Sequence, residues 1–428
     1  MIGPQITTTL LTTSRNRFWL AIYLFSFVVL SLIKAPQVLI ETRFWAEEGS
    51  VYFAQMSSLP MRDALLFVTN ANYQLLTNLL VFAATRVPLA NAPAVTTYGA
   101  FLVAVLIVVL IFQITIRYRL NRVVGLLLVI AWVFLPGTYE TVASATNVQW
   151  ICSISMLLVL LLPSEDIERN LGKLVIWTAL CGLTGVPSCM LAPGFLFRAV
   201  YDRSKAFFIL GAILSVCALV QLIILKLFGA TGRSFAVDVE ILTLPALLQT
   251  VLVPLFGAGR IARLAEPIRE GTATIWPYVV AYGAALVLML VSISIALRAQ
   301  RAAIVMLLLF LWVLVTVLNS FGAIGPPRDL ISATFGARYY LLGSVCFCLL
   351  LVFGTAVPGR IPKIVTGGLL GLIVVSSAAE RIFLPWMQPF FEGPSWRVEV
   401  EKCRPDAPCD LAIWPPSWIV RVQPPIRL

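Results

Sequence analysis

Long apolar segments, most of them bounded by charged residues or by Pro and Gly, recur along the chain from residue 18 to residue 379. A bilayer-spanning helix needs about 20 mostly apolar residues, because only internally hydrogen-bonded backbones are stable in hydrocarbon. The segments are continuously apolar and do not alternate, which favours helices over a β-barrel. With 60% hydrophobic and only 12% charged residues, the chain has too much apolar surface for a water-soluble core. The sequence therefore predicts an all-α, polytopic membrane protein.

The apolar pattern predicts eleven spans. They are residues 18–33, 95–116, 123–139, 148–162, 174–184, 189–200, 206–228, 278–297, 302–321, 340–357 and 364–379. The fifth and sixth are short and flank the sequence TGVPS, in which Gly185 and Pro187 permit a tight reversal. Two further apolar segments, 73–84 and 241–256, are assigned to helices at the outer surface. For 241–256, a re-entrant hairpin is the alternative.

Basic residues indicate how the spans are oriented, because short loops rich in Lys and Arg are retained in the cytoplasm. Six basic clusters fall on one side of the eleven-span arrangement. They are Arg15 with Arg17; Arg117, Arg119 and Arg122; Arg169 with Lys173; Arg198, Arg203 and Lys205; Arg298 with Arg301; and Arg360 with Lys363. The amino terminus is therefore predicted to be cytoplasmic and the carboxyl terminus external. The same distribution accounts for the net charge of +11, so no nucleic-acid partner is expected.

This arrangement divides the chain into a transmembrane domain, residues 1–381, and a small external tail, residues 382–428. The first span also has features of a secretory signal, but we favour an uncleaved anchor, since the KAP sequence at residues 34–36 is a poor cleavage site. Four tryptophans lie among the prolines of the tail: Trp386, Trp396, Trp414 and Trp418. We predict that they anchor the tail at the membrane interface, with stacking on sugar rings as the alternative.

The cysteine and histidine content limits the kinds of catalytic and metal sites that the chain can form. Six of the eight cysteines lie in predicted spans, where Cys is usually a small hydrophobic residue. Cys403 and Cys409, in CRPDAPC, lie in the external tail, where an oxidising compartment favours a local disulfide. A zinc site is the less favoured interpretation, because it needs more ligands. The chain contains no His, which excludes histidine-based triads and histidine general bases.

Carboxylates are therefore the groups left for chemistry, and they are unevenly distributed. Of 20 acidic residues, only Glu165, Asp166, Glu168 and Asp202 map to predicted cytoplasmic loops, and none lies in the middle of a span. Ion-coupled transporters generally need ionisable groups near the bilayer midplane. The pattern argues against such a transporter and favours chemistry at the external membrane face.

Two adjacent carboxylates, Glu47 and Glu48, follow the first span in the sequence RFWAEEGSVYFAQM. One interpretation is a solvated loop that carries two charges. The other is that one of the two is a general base directed at an acceptor hydroxyl. Adjacent carboxylates can also bind a hard divalent cation but do not require one, so no metal or other cofactor is assigned.

The layout of the first predicted external loop, residues 34–94, resembles that of the GT-C superfamily of integral membrane glycosyltransferases, which use polyprenyl-phosphate-linked sugars. FWAEEGSVYF is similar to the acidic motif of that superfamily, and NYQLLTNLLVFAATRVPLA to the surface helix that follows it. FLPGTYETVASATNVQW supplies Glu140 in the position of a second external acid. The resemblance covers roughly the first 200 residues. The sequence departs from the family in having Glu where Asp is usual, and in lacking a large soluble carboxy-terminal domain.

The resemblance implies a catalytic carboxylate among Glu47, Glu48 and Glu140. It also implies a lipid-linked sugar donor, a glycan acceptor and a role in polysaccharide biosynthesis for the cell envelope, in the inner membrane of a bacterium. The alternative function is a lipid-glycan flippase, a polymerase or another transport component whose external acids are only structural.

A phosphate-bearing donor needs positive charge at the external face. The candidates are Arg338 in GARYY, Arg260, Arg263 and Arg269 in GRIARLAEPIRE, and Arg328, because guanidinium groups match phosphate oxygens. Arg338 is favoured, since a basic residue at the outer start of a span opposes the positive-inside trend. Pairing with Asp329, or extension of the side chain to the membrane interface, is the alternative for Arg338.

Overall fold

The computed structural model describes residues 13–229, 232–233, 235, 237–296, 298, 302–383 and 392–424. The longer helices are α1 Ser14–Lys34, α2 Leu75–Ala84, α3 Ala92–Arg117, α4 Arg122–Phe134, α5 Val148–Leu161, α6 Leu171–Leu183, α7 Ala192–Tyr201, α8 Lys205–Phe228, α9 Val239–Phe256, α10 Ala258–Arg269, α11 Ile275–Ala296, α12 Ala302–Gly322, α13 Ala337–Gly354 and α14 Arg360–Phe383. Short helical turns in the connections are Pro36–Ile40, Glu48–Phe53, Ala54–Met56, Met61–Leu65, Leu89–Asn91, Thr138–Thr141, Ser164–Arg169, Val186–Cys189, Pro327–Ile331 and Trp396–Glu401. Two antiparallel hairpins pair β1 Val68–Thr69 with β2 Asn72–Tyr73, and β3 Cys409–Ala412 with β4 Ile419–Val422.

Eight of the described helices are long and apolar enough to cross a membrane: α1, α3, α8, α9, α11, α12, α13 and α14. The chain is therefore a mostly helical, multi-pass membrane protein, as the sequence predicts. Seven of the eight contain predicted spans. The predicted spans 123–139, 148–162, 174–184 and 189–200 correspond to the shorter apolar helices α4, α5, α6 and α7.

Helix α9 differs from its predicted place at the outer surface, and that prediction is wrong. Every side chain from Leu244 to Leu255 is buried, and the helix packs inside the bundle against α12, α13 and α14. The amide of Gln249 lies in a π-helical turn and donates to the carbonyl oxygens of Ser332 at 2.7 Å and Phe335 at 2.9 Å. The distant α12–α13 loop thus pairs the side-chain nitrogen of this polar residue inside the bundle.

Both ends of α9 lie near the same end of the bundle. The Tyr278 hydroxyl, at the start of α11, donates to the Glu240 carboxylate at 3.2 Å. Just beyond the other end of α9, the backbone N–H of Ala258 donates at 2.8 Å to Glu380, close to the end of α14. Because α11 begins and α14 ends on that side, both ends of α9 lie near one end of the bundle. Helix α9 is continuous from Val239 to Phe256, so it does not form the re-entrant hairpin of the alternative prediction.

The predicted cytoplasmic loops meet at one end of the bundle. Contacts across this end are Arg122–Asn16, Arg117–Asp166 and Ser204–Glu168, at 2.7, 2.6 and 3.1 Å. The guanidinium of Arg198 also donates to the carbonyl of Leu160, at the end of α5, at 2.7 Å. Members of two of the six basic clusters therefore make contacts in this layer, and Asn16 and Glu168 are sequence neighbours of members of two more. We call this the basic end of the bundle.

At the opposite end, the first external loop and the carboxy-terminal tail share one hydrophobic core. The ring of Phe44 in the loop packs edge to face on Trp396 of the tail, with centroids 5.4 Å apart. Trp396 and Trp414 are each only 3% exposed, so the interfacial-anchor prediction is wrong for these two. Trp418 is 36% exposed, and Trp386 lies outside the described residues. Within the tail, Cys403 and Cys409 are joined by a disulfide.

Candidate functional site

A cavity of about 420 Å³ lies between the first external loop and the helix ends beneath it. Its walls include the β1–β2 hairpin, the starts of α5 and α13, the TGVPS segment, α8 and the end of α12. Because α5 runs from this cavity to Leu160 in the basic layer, the cavity is at the end of the bundle opposite the basic loops. Charged side chains in its lining are Glu47, Arg233 and Arg338.

Glu47 and Glu48 are adjacent in sequence but face different surroundings, because successive side chains in a helical turn diverge by about 100°. Glu48, the first residue of the Glu48–Phe53 turn, is 1% exposed. Its Oε2 accepts from the backbone N–H of Ala145 at 2.8 Å and from the hydroxyl of Ser144 at 3.2 Å. The Glu48 carboxyl therefore joins the first external loop to the segment that contains Ser144 and Ala145, and it does not line the cavity.

Burial is the main reason that the pKa of Glu48 rises from 4.5 to about 7, against the opposing effect of hydrogen bonds from Thr96, Ser144 and backbone groups. A pKa raised by folding means that the folded state holds the proton more tightly. The stabilisation is present in full below about pH 4.5 and is lost as the pH rises through about 7. A shift of this size corresponds to at most about 3 kcal/mol.

We therefore expect the melting temperature of the wild-type protein to fall between pH 5 and pH 8, and Glu48→Gln to show a smaller fall. Gln has the size of the protonated acid but does not titrate in this range. Melting temperatures of both proteins in the same detergent and buffers measure the difference. Identical falls in the two proteins would contradict the assignment of a buried, titrating Glu48.

Glu47 is the carboxylate that faces the cavity. It is partly exposed there, and its side chain makes no hydrogen bond or ion pair with any residue that the structure describes. Among the described residues, the nearby Tyr52 hydroxyl interacts electrostatically with the Glu47 carboxylate. Of the two acids that the sequence could not distinguish, Glu47 is thus the one available to a ligand.

Glu140, the third predicted acid, is engaged by Arg338. Arg338 Nη1 lies 2.6 Å from Glu140 Oε2, and both side chains are about one-third exposed. Gly137, with a φ of +84°, allows this approach, because a Cβ there would lie 2.7 Å from the backbone oxygen of Ala337. The alternative pairing with Asp329 is wrong: within the described chain, that carboxylate pairs with Arg269 at 3.4 Å.

Arg260 and Arg263, two of the other predicted phosphate ligands, lie away from the cavity. Helix α10 buries Ile261, Ala265 and Ile268 against the bundle, which turns both arginines to the exposed face. Neither side chain is part of the cavity lining. Both arginines follow α9 in the chain, but they lie on the face of α10 opposite its buried residues, so their side chains point away from the bundle.

Arg233 is a cavity residue that the sequence analysis did not single out. It follows α8, and its Nη1 donates to the carbonyl oxygen of Gly322 at the end of α12. Its Nε is buried and has no hydrogen-bond partner among the described residues, and burial lowers the pKa of this guanidinium. The signal that could have identified it is the one used for Arg338, namely a basic residue on a predicted external loop.

The rest of the cavity has a polar part and an apolar part. Amide side chains supply much of the polar part: Asn70, Asn72, Gln74, Asn147, Gln149 and Asn319. Two buried amide atoms, Asn72 Oδ1 and Asn319 Nδ2, have no partner within the described chain. The apolar part includes Pro187, Leu222 and Phe321. Leu222 is 61% exposed on α8, so this side of the cavity is next to the surface that faces the bilayer.

Close packing holds two of these walls together. Gly185 lies against Gln149, and a Cβ on this glycine would be 2.3 Å from the amide oxygen. The TGVPS segment can therefore approach the start of α5 this closely only because residue 185 is a glycine. Gln221 of α8 donates to the carbonyl oxygen of Tyr73 at 2.9 Å, which fixes the β1–β2 hairpin on the bundle.

Among the residues that the structure describes, no group of three or more Cys, Asp and Glu side chains is arranged to hold a metal ion. Comparisons of the chain with models of known protein families, with curated proteins and with solved structures give no match. The function is therefore argued from the site itself.

Proposed function

We propose that this protein is a membrane glycosyltransferase that moves a sugar from a polyprenyl-phosphate-linked donor to a lipid-linked or envelope glycan at the external membrane face. The observation that carries the proposal is the Glu47 carboxylate, which faces a cavity at the predicted external end without an ion-pair partner in the described chain. Support also comes from the resemblance of the surrounding loop to the GT-C acidic motif.

In the proposed reaction, Glu47 accepts the proton of an acceptor hydroxyl as its oxygen attacks the anomeric carbon of the donor sugar. The bond between that carbon and the phosphate oxygen breaks, and the polyprenyl phosphate leaves with the electron pair. Arg338 and Arg233, in the wall of the same cavity, would stabilise the charge that develops on the leaving phosphate.

The two parts of the cavity suit the two parts of such a donor. Amides both donate and accept hydrogen bonds, so the amide-lined part can satisfy the hydroxyls of a sugar. The apolar part, which adjoins the exposed side of α8, can hold the first units of a prenyl chain that extends into the bilayer. Buried amide atoms without partners favour a polar ligand, since such atoms cost free energy until they are paired.

The proposed orientation has the amino terminus and the basic end in the cytoplasm, and the cavity outside, in a bacterial inner membrane. The eleven proposed crossings are α1, α3–α8 and α11–α14, whereas α9 has both ends on the outer side and does not cross. This scheme keeps all six basic clusters on one side.

Cysteine labelling tests this orientation. Ser58 and Asn121 are exposed at opposite ends of the bundle, and the six native free cysteines are buried. In intact cells, we expect an impermeant maleimide to label Ser58→Cys and to leave Asn121→Cys unlabelled. Both should react after permeabilisation. External labelling at Asn121 would overturn the orientation.

A transfer assay tests the function. Membranes from cells lacking the gene, supplied with purified protein and a panel of radiolabelled polyprenyl-phosphate sugars, should transfer label from one donor to a glycan fraction. Release of the free polyprenyl phosphate should match this transfer. A transport component would instead move the intact donor across vesicles without breaking the sugar–phosphate bond, and that result would refute the proposal.

A further inference from the structure

The carboxy-terminal tail is hydrogen-bonded to the backbone immediately before Glu47. The Trp414 N–H donates to the carbonyl oxygen of Phe44 at 3.0 Å, and the Ala46 N–H donates to the carbonyl oxygen of Trp414 at 2.5 Å. Trp45 and Trp414 thereby form a parallel β-bridge. The last residues before the acidic pair are thus held by a segment from the far end of the sequence.

This contact fixes an unfavourable backbone conformation. Ala46 has a φ of +41°, in the left-handed region that costs a residue with a Cβ about 1–2 kcal/mol. Such a conformation persists only where surrounding contacts determine it. Because Glu47 is the next residue, the backbone of Ala46 sets the direction in which the Glu47 carboxylate enters the cavity.

Side-chain packing continues the contact on the other side of the acidic pair. A Cβ on Gly49 would lie 2.8 Å from Cβ of Phe44 and 2.9 Å from Cδ1 of Ile413 in the tail. Strand β4 also packs against the Glu48–Phe53 turn. The residues immediately before and after the acidic pair therefore both rest on the hairpin formed by β3 and β4.

Local bonds hold the hairpin together. The disulfide from Cys403 to Cys409 closes the loop that leads into β3. The buried carboxylate of Glu399 accepts from the N–H of Ala412 at 3.1 Å, and it pairs with Lys402. Lys402 and the Ala412 N–H lower the pKa of Glu399 despite the opposing effect of burial, so the carboxylate is ionised at neutral pH.

We propose that residues 396–422 are a positioning element for Glu47, with Trp414 as the residue that sets its backbone and the Cys403–Cys409 disulfide as the bond that keeps the hairpin in place. The proposal rests on the function proposed above and adds a redox requirement to it. A small dithiol would reduce the disulfide to two thiols and would itself be oxidised to a cyclic disulfide, a balanced transfer of two electrons and two protons.

The test compares folded protein before and after reduction with a dithiol. The other described cysteines are free and buried, so the external disulfide is the bond that the reagent changes. We expect kcat for transfer to fall about 10-fold to 100-fold, because a displacement of about 1 Å at a reacting group has effects of this size. KM for the donor should stay within about twofold, since no tail residue that the structure describes lines the cavity. Reoxidation should restore kcat.

A matched pair of glycine substitutions provides the second arm. Gly49→Ala forces Phe44 and Ile413 apart, whereas Gly172→Ala adds the same methyl group where no atom lies within 4 Å. The first should lower kcat and the second should not. Full kcat after verified reduction, or a change confined to KM, would refute the positioning role. If Gly49→Ala fails to fold, the change in kcat after disulfide reduction still tests the positioning role. Failure of the wild-type protein to transfer sugar would instead refute the proposed function.

Discussion

Glu47→Gln is expected to lower the turnover of sugar transfer by about 100-fold to 10,000-fold, the usual contribution of a general base. The substitution keeps the size and hydrogen-bonding capacity of the side chain and removes only the carboxylate. Because Glu47 makes no hydrogen bond or ion pair with the described chain, folding should be little affected. Initial rates with saturating donor, together with membrane abundance and melting temperature, separate the chemical effect from a folding defect.

The neighbouring acid provides the control. Glu48→Gln changes the same functional group one residue away, but Glu48 faces Ala145 and Ser144 and not the cavity. We expect it to lower turnover less than about 10-fold, and Glu140→Gln likewise to have a smaller effect than Glu47→Gln. Near-normal turnover in Glu47→Gln and in the Glu47→Gln/Glu48→Gln double variant would refute the glycosyltransferase mechanism and favour a transport component.

Arg338→Ala is expected to reduce kcat/KM for the donor by about 100-fold. The substitution removes a guanidinium from the cavity wall and also leaves the Glu140 carboxylate without its ion-pair partner, 2.6 Å away in the native protein. That uncompensated charge would repel the donor phosphate. Arg338→Lys should lower kcat/KM less, by about 10-fold, because the lysine ammonium keeps the charge but lacks the bidentate geometry of the guanidinium. Steady-state kinetics with varied donor measure both effects.

Two further variants separate these causes. Removing the uncompensated charge in Arg338→Ala/Glu140→Gln should recover part of the loss of Arg338→Ala. Arg260→Ala removes an arginine from the exposed face of α10, outside the cavity, and should leave kcat/KM within about twofold of wild type. Wild-type kinetics in both Arg338→Ala and Arg338→Lys would exclude Arg338 from the donor site.

Features encoded locally were predictable from the sequence. Hydropathy identifies the long helices, because lipid solvation depends on each segment's own side chains. The acidic loop and the reversal at Gly185 also follow from short motifs, and the structure places both next to one cavity. The identification of Arg338 depended on its charge and its position at the start of a span.

Features that depend on distant partners were not predictable in this way. The burial of α9 is one example, because carbonyl groups about 85 residues away pair the side-chain nitrogen of Gln249 inside the bundle. Glu47 and Glu48 are chemically equivalent in the sequence, and distant groups distinguish them by hydrogen-bonding to Glu48, among them the backbone N–H of Ala145 and the side chain of Thr96. The partner of Arg338 likewise lies far away in the chain, at Glu140.

The bridge between Trp45 and Trp414 has a consequence for biosynthesis. Translation at about 5–20 residues per second separates the emergence of these two residues by roughly 20–70 s. In the proposed orientation the acidic loop can cross the membrane before Trp414 is synthesised, and until then its backbone lacks the partner that holds Ala46 in its left-handed conformation. If the proposed function and positioning role hold, a ribosome-bound or prematurely terminated chain should therefore have little activity, and full activity should follow only when the last segment has crossed the membrane.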